Sequence, residues 1–191
     1  MADSTETKAR ILAAATAEFA ARGIAGARVD RISAESGASK PMLYAYFGSK
    51  ERLFDAVFTS HVVANSDRVP FTADDLPGYA VRLYDDYLAD PALLRLVAWK
   101  RLEISGSDYL YGDLASNDAA HHEAIAEQQR EGTVRSDLSP GDVWSLVIST
   151  AATWAQVSIT EVAVVADPEP VHDRRRSALA AVLRDGLAAP E

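Results

Sequence analysis

The residues best suited to bind another molecule lie within the segment 28–50. Lys40, Met42, Tyr44 and Tyr46 fall in one run of eight residues, and three of them can donate hydrogen bonds. The methionine and the tyrosine rings can also pack on sugars and thymine methyl groups. Such a mixture suits a nucleic acid, because cations meet phosphates and donors meet base edges. On spacing alone, a helical surface that touches no DNA is an equally good interpretation.

No set of residues for catalysis stands out. The chain has no cysteine, which excludes thiolate nucleophiles, disulfides and cysteine-based metal sites. It also lacks a nucleophile-elbow serine motif, a phosphate loop and a Rossmann fingerprint. His121 and His122 are adjacent, so on a helix they point about 100° apart and ligate one ion poorly. Asp118 could pair with either, but we favour a solvated helix face. We therefore expect no catalytic residue, no metal and no cofactor.

Two short helices joined by a glycine turn would position the binding residues. Apolar residues at helical spacing predict three N-terminal helices, over residues 7–22, 29–36 and 40–47. Gly37 breaks the second, and Ser39 then caps the third, with Pro41 in its first turn. Leu43 and Phe47 share one face of the third helix and are predicted to point inward. The result is a helix-turn-helix.

This segment resembles the DNA-binding domain of TetR-family transcriptional regulators over about residues 7–58. The most specific part is the run Ser39–Lys50, in register with Ile11, Phe19, Gly23 and Ile32. The resemblance implies base-edge contacts for Lys40, Pro41, Met42 and Tyr44, and phosphate contacts for Ser39, Tyr46 and Lys50, with Arg28 reaching DNA from the head of the second helix.

Four positions depart from the family pattern, and one of them is Met42, where relatives often have threonine. Ala27 stands where the family has a threonine that caps the second helix and touches phosphate, so that contact is absent. Ser36 and Ala38 replace the commoner alanine and valine around the turn glycine, and we expect them to loosen the local packing slightly.

Charge is divided unevenly along the chain. Residues 1–60 carry a net charge of +1, and residues 61–191 carry −10, within a total of −9. The second part repels phosphate, so only the first third can bind DNA. Arg174, Arg175 and Arg176 are too few for a nucleic-acid tail, and we predict that they lie on an exposed helix face.

The remaining residues are predicted to form a fourth helix that starts at Lys50 and then longer helices, roughly over residues 73–89, 91–104, 113–131, 140–162 and 172–187. The helix from Pro140 to about Val162 is apolar nearly all round, so it must be covered on two sides. One side would be the core of the chain and the other a partner subunit, as the resemblance implies. The predicted dimer interface consists of Ala151, Trp154, Ala155, Leu179, Val182 and Leu183. The alternative is a helix buried wholly within a monomer.

Aromatic residues near polar ones are the candidates for an effector pocket. They are Tyr84, Tyr87, Trp99, Glu103 and Tyr109. Aromatic residues at helical spacing also occur as ordinary core, so that interpretation stays open for each of them.

The composition is ordinary for a folded globular protein. With 191 residues, 48% of them hydrophobic, the chain can bury a core. No stretch approaches the roughly 20 apolar residues that span a membrane, and the polar N-terminus lacks a signal-peptide core. We expect a cytoplasmic protein with no membrane segment.

These observations together predict an all-α protein of about nine helices. A three-helix DNA-binding domain would occupy residues 1–48, and a larger helical ligand-binding and dimerisation domain residues 49–191. The expected function is a homodimeric regulator, in the family's usual mode a repressor, released from a palindromic double-stranded DNA operator by an unknown small molecule. Alternatives are a DNA-binding protein of the same fold without an effector, or a helical enzyme.

Overall fold

A computed structural model of the chain describes residues 2–103, 115–155 and 158–189. Within these ranges it contains nine α-helices, one short 3-10 helix over Ala73–Asp75 and one isolated bridge between Val134 and Ala188. The helices are α1 (Ala2–Gly26), α2 (Val29–Ser36), α3 (Lys40–Phe47), α4 (Lys50–Arg68), α5 (Leu76–Ala89), α6 (Ala92–Glu103), α7 (Ala115–Arg130), α8 (Pro140–Ala151) and α9 (Glu169–Leu187). The all-α prediction is confirmed.

The first compact unit contains α1, α2, α3, α4 as far as Asn65, and α6. In it α1 packs against both α2 and α6. Phe19 of α1 meets Phe54 of α4 edge to face, with ring centroids 5.2 Å apart. Ile11 and Ile32 are fully buried. The helix-turn-helix therefore shares its apolar core with α1 and α4, which fixes the position of its outer face.

The second compact unit contains α5, α7, α8 and α9. There α5 packs against α8 and α9, and α7 packs against α8. Leu83, Val143 and Val147 are fully buried in its core. None of the described helices is long and apolar enough to cross a membrane. Because α6 belongs to the first unit, the units are not two successive stretches of sequence, and the proposed domain boundary at residue 48 stays a prediction.

A break interrupts α1 at Gly23, which has φ 69° and ψ −176°. The predicted end of the first helix, at residue 22, coincides with this break. Helical turns resume beyond the break and continue to Gly26. The helix begins at Ala2 rather than near Thr7. A positive φ of this size strains any residue with a side chain, so glycine is required here.

The predicted helix over residues 140–162 is wrong in length, because α8 ends at Ala151. Its start is as predicted, since the Ser139 hydroxyl accepts a hydrogen bond of 3.1 Å from the Asp142 N–H. At the other end, Thr153 turns back on Thr150 through both its N–H and its hydroxyl. Such bonds to the third residue back tighten and end a helix. The outer face of α8 also carries exposed serines, so the helix is not apolar all round.

The prediction that all three consecutive arginines lie on an exposed face is wrong for Arg175, which is 4% exposed. Its guanidinium lies 2.7 Å from an Asp167 carboxylate oxygen and 3.2 Å from one of Glu161. The Trp154 ring also lies against it, with its centroid 5.8 Å away. Carboxylates from the segment before α9 compensate the buried charge, which would otherwise be costly.

Candidate nucleic-acid interface

Helix α3 has a buried face and an exposed face. Leu43 and Phe47 are 2% and 8% exposed, whereas Met42, Tyr44 and Tyr46 are 43%, 48% and 37% exposed. The inward direction predicted for Leu43 and Phe47 is confirmed. Since these two residues anchor the helix, its opposite face is held in a fixed orientation while it stays open to a ligand.

Hydroxyl groups hold the turn and the start of α3. The Ser39 hydroxyl accepts a hydrogen bond of 3.4 Å from the Met42 N–H and caps the helix, as predicted. The Ser33 hydroxyl donates to the Ala38 carbonyl at 2.6 Å, and the Ser36 hydroxyl accepts from the Ala38 N–H at 3.3 Å. These hydrogen bonds link the residues on either side of Gly37, and the expected loosening at Ser36 and Ala38 stays a prediction.

An ion pair lies on the exposed side of the helix-turn-helix. The ammonium of Lys40, at the start of α3, pairs with the carboxylate of Asp30 in the first turn of α2. The two side chains are 53% and 68% exposed. The hydrogen bond to Asp30 raises the pKa of Lys40 above its ordinary value, so the lysine keeps its charge. Sequence reasoning missed this pair, because the two residues belong to different helices and only the fold brings them together.

The structure brings Lys50 to the corner where α2 begins. Its ammonium donates a hydrogen bond of 3.4 Å to the carbonyl of Ala27, the residue before Arg28. Arg28 and Lys50, both predicted to contact DNA, therefore flank one corner of the first unit. Tyr46 lies elsewhere, with its hydroxyl donating to the Ser4 hydroxyl at 3.1 Å.

Glu18 of α1 holds the start of α2 through hydrogen bonds at the same corner. Its carboxylate accepts from the Arg28 N–H at 2.9 Å and from Arg31 Nε at 2.8 Å. The side chain is only 9% exposed. The hydrogen bond from Arg31 holds the pKa of Glu18 below its ordinary value. No sequence motif marked this residue, since a glutamate thirteen positions from an arginine has no fixed relation to it.

Trp99 and Glu103, predicted to contact an effector, lie against the break in α1. The indole N–H of Trp99 donates to the Ala20 carbonyl at 3.3 Å. The Glu103 carboxylate accepts from the backbone N–H groups of Ile24 and Ala25 at 3.0 and 2.6 Å. Their spacing of four residues indicates a shared face of α6, but spacing cannot identify the neighbour that this face meets.

The other three effector candidates have different surroundings. Tyr84 is 3% exposed, and its hydroxyl lies 2.7 Å from Nδ1 of the buried His172. Tyr87, also on α5, is 8% exposed. Tyr109 lies outside the described residues. Contact of any of these side chains with an effector stays a prediction.

The predicted dimer residues differ in exposure within a single chain. Ala151, Leu179 and Leu183 are 2%, 2% and 4% exposed, so their own chain already covers them. Val182 is 63% exposed on the outer face of α9. The half-buried Trp154 meets Tyr84, with ring centroids 6.0 Å apart, and Ala155 is also half-buried. The interface itself stays a prediction.

An aromatic cluster in the second unit was not predicted. The His121 ring packs against both Phe71 and Trp144, at centroid distances of 4.5 and 4.3 Å. Tyr79 packs on Phe71 at 5.1 Å, and burial raises the pKa of its hydroxyl to about 12. The Trp144 N–H donates to Asp118 at 3.2 Å. The predicted solvated face is therefore wrong for His121, because the segment before α5 brings Phe71 over α7.

A helix-turn-helix with an exposed helix that carries a lysine and two tyrosines, joined to a second helical unit, is an arrangement typical of DNA-binding regulators. Residues 11–57 match the family model for bacterial regulatory proteins of the tetR family, and residues 75–184 match a tetracycline repressor-like C-terminal domain. This chain belongs to the TetR family of bacterial transcriptional regulators. The resemblance found in its sequence and the predicted DNA-binding class of function are confirmed.

Individual relatives agree with this assignment. The chain is 38% identical to the HTH-type transcriptional repressor SCO4008 of Streptomyces coelicolor over 156 residues, which are 81% of each chain. It is 27% identical to the HTH-type transcriptional activator FasR of Mycolicibacterium smegmatis over 73% of this chain and 72% of that one. The solved structure of SCO4942 from Streptomyces coelicolor matches with a TM-score of 0.78 at 34% identity, covering 96% of this chain and 99% of that one.

Proposed function

We propose that this chain is a transcriptional repressor that binds a palindromic operator as a homodimer and is released by a small-molecule effector. The observation that carries the proposal is the exposed surface of α3, which displays Lys40, Met42, Tyr44 and Tyr46 while Leu43 and Phe47 are buried. A helix presented in this way can enter the major groove. The protein would act in the cytoplasm, where the bacterial chromosome lies.

Contacts with bases and contacts with phosphates are assigned to different residues. The proposed base contacts are Lys40, Pro41, Met42 and Tyr44, and the proposed phosphate contacts are Arg28, Ser39, Tyr46 and Lys50. The position of Arg28 and Lys50 at one corner supports the second group, because two cations at one site can hold one stretch of backbone.

The outer face of α9 provides the surface for a second copy in this proposal. Val182 is 63% exposed there, and Leu146 on the neighbouring α8 is 47% exposed. On the inner side of α9, the buried side chains of Leu179 and Leu183 anchor this helix to its own chain. In a two-fold dimer one patch meets its own copy, so each exposed apolar side chain is covered. Two recognition helices would then meet half-sites about 34–36 Å apart, or a multiple of that distance.

The effector is proposed to bind beside Tyr84 and Tyr87, the two sequence candidates on α5 of the second unit. The buried Tyr84 hydroxyl supports this, because it places a polar group amid apolar side chains on α5. For Trp99, Glu103 and Tyr109, contact with an effector stays a prediction from the sequence. An effector that changes operator affinity would supply a coupling free energy on the order of 1–3 kcal/mol.

A second candidate is the same DNA-binding function without an effector. The aromatic cluster favours it, since the rings of Phe71, His121 and Trp144 already pack on one another. A ligand that entered between these rings would have to replace their contacts with its own.

Selection of binding sites from random DNA by the full-length chain tests the main proposal. We expect a two-fold symmetric sequence. Tyr44→Ala should change the preference among operator variants by about 1–3 kcal/mol, because Tyr44 faces the bases. Lys50→Ala should weaken all sequences similarly and reduce the salt slope by roughly 0.9 for each subunit, about 1.8 for the proposed dimer. Equal losses on selected and random DNA for both variants would contradict the assigned roles.

Release from the operator is the test that separates the two candidates. The operator complex is exposed to fractions of a small-molecule extract from the source cell, and dissociation is followed by fluorescence anisotropy. Release by one fraction, reversed when that fraction is removed, supports an effector. If no fraction releases the operator while high salt does, the effector-free candidate is favoured.

A further inference from the structure

The ion pair between Asp30 and Lys40 places a negative group on the face that the proposed function turns toward DNA. Both side chains are more than half exposed. Exposed ion pairs of this kind contribute little to folding, because water screens them and ordering two side chains costs entropy. A carboxylate beside the recognition helix would also repel phosphates. The pair therefore lacks an evident role in stability or in general DNA affinity.

Lys40 keeps unused hydrogen-bonding capacity within the pair. An ammonium group has three N–H donors, and the contact with Asp30 engages one of them. Two donors remain for other acceptors. The Asp30 carboxylate likewise accepts at several lone pairs and retains free ones. The pair thus presents a cationic double donor directly beside an anionic acceptor.

The major-groove edge of a G·C base pair has the complementary order. Guanine offers two neighbouring acceptors, N7 and O6, and the N4 amino donor of cytosine lies next to O6. Lysine commonly donates to the two guanine acceptors, and aspartate accepts from cytosine N4. The edge of a T·A pair has a different order: the adenine N7 acceptor, the adenine N6 amino donor and the thymine O4 acceptor. Here the thymine O4 acceptor would face the Asp30 carboxylate, which cannot donate to it. The arrangement of Lys40 and Asp30 fits G·C better.

We propose that Asp30 and Lys40 act together to read one G·C base pair in each half-site, with Lys40 donating to guanine and Asp30 accepting from cytosine. This rests on the proposed function, which places the start of α3 in the major groove. Asp30 then contributes to specificity, because its carboxylate is tolerated only where a base donor compensates the repulsion from phosphates.

The experiment measures binding of the full-length protein to the selected operator and to every single base-pair change in one half-site. The proteins are wild type, Asp30→Ala, Lys40→Met and the double variant. Lys50→Met is the matched control, since it removes one cation assigned to phosphate. Both paired residues are exposed, so we expect unchanged helicity and thermal unfolding in these variants.

The expected result is one G·C position at which changes cost wild-type protein roughly tenfold to a hundredfold in affinity. At that position the cost should fall to about threefold or less in both Asp30→Ala and Lys40→Met, and the double variant should add little. Lys50→Met should weaken binding to every sequence by the same factor. Loss of sequence dependence at that position alone supports the pair as one reading unit.

Other results would overturn the inference. If Asp30→Ala strengthens binding to operator and random DNA equally and keeps the base profile, Asp30 acts only by repulsion. If the two variants change different positions, or if a T·A pair is preferred, the paired reading is wrong. These outcomes leave the proposed function intact, whereas failure of wild-type protein to bind any selected sequence would overturn both.

Discussion

The carboxylate of Glu103 accepts a hydrogen bond of 3.0 Å from the backbone N–H of Ile24, a residue 79 positions earlier. Its other oxygen accepts from the Ala25 N–H. These N–H groups directly follow the break at Gly23, where the regular hydrogen bonding of the helix is interrupted. The last turn of α6 therefore caps the second part of α1, directly before the chain enters the helix-turn-helix.

Replacing Glu103 with alanine should lower the free energy of unfolding by about 0.5–2 kcal/mol, the usual cost of losing a cap. Operator affinity should fall as well, because the cap fixes the chain that leads into α2. Glu103→Gln keeps one acceptor oxygen and should lose less of both. Urea unfolding and anisotropy titrations measure the two effects, and unchanged operator affinity in Glu103→Ala would show that the cap matters only for folding.

Two glycines with nearly equal φ values provide a matched pair for backbone strain. Gly37, at φ 67°, has no atom within 4 Å of an added Cβ, so Gly37→Ala should cost only about 1–2 kcal/mol for the left-handed conformation. At Gly23, with φ 69°, an added Cβ would lie 2.6 Å from the Trp99 ring and closer still to Glu103. Gly23→Ala should therefore cost clearly more, and equal losses in thermal unfolding would contradict the close packing of α6 on α1.

Acid should remove the contribution of Glu18 to stability. Because its pKa is lowered in the folded protein, that contribution is complete above the unfolded value of about 4.3 and is lost as pH falls through the lower folded value. Glu18→Gln should cost roughly 1–3 kcal/mol at pH 7, since charged hydrogen bonds to Arg31 and Arg28 are lost. The difference from wild type should shrink toward zero below pH about 4.

Glu35 offers the control for this experiment. It lies exposed on α2, and Glu35→Gln makes the same change of charge and shape as Glu18→Gln. We expect the unfolding free energy of Glu35→Gln at pH 7 to stay within about 0.5 kcal/mol of wild type, as for most surface substitutions. A penalty for Glu18→Gln that persisted unchanged into acid would rule out the proposed charge dependence.

Glutamate substitutions at Val182 and Leu179 of α9 should distinguish effects on dimerisation from effects on folding. Val182→Glu should give a folded monomer, because the exposed side chain matters only once a second copy covers it. Leu179→Glu should unfold the second unit, since it would bury an unpaired charge within one chain. Sedimentation velocity with circular dichroism distinguishes these cases. A Val182→Glu protein with the wild-type dimerisation constant would place the interface away from this face of α9.

Local signals predicted much of the first unit. Ser39 with Pro41 marked the start of α3, and the spacing of Leu43 and Phe47 identified its inner face, because caps and periodicity act within a few residues. The same logic found the start of α8 at Ser139. The end of that helix escaped prediction, since no glycine or proline marks it and the Thr150 turn forms only in the folded chain.

Contacts between distant residues could not be predicted. The burial of Arg175 depends on carboxylates at 161 and 167, which compensate a charge that composition alone assigns to the surface. Nor could spacing identify the neighbour of Trp99, whose indole N–H donates to the Ala20 carbonyl. In each case the partner is chosen by how the helices pack, which spacing within one helix does not specify.

The three tryptophans of this chain occupy three separate environments. Trp99 lies at the break in α1, Trp144 in the aromatic cluster, and Trp154 against the Arg175 guanidinium. The molecule therefore carries its own fluorescent labels. In variants that retain a single tryptophan, emission from Trp99 would report changes in the first unit. Emission from Trp144 would report changes near Tyr79 of α5, and emission from Trp154 would report changes near Tyr84. Operator binding and changes in the second unit could thus be timed separately without attaching a dye.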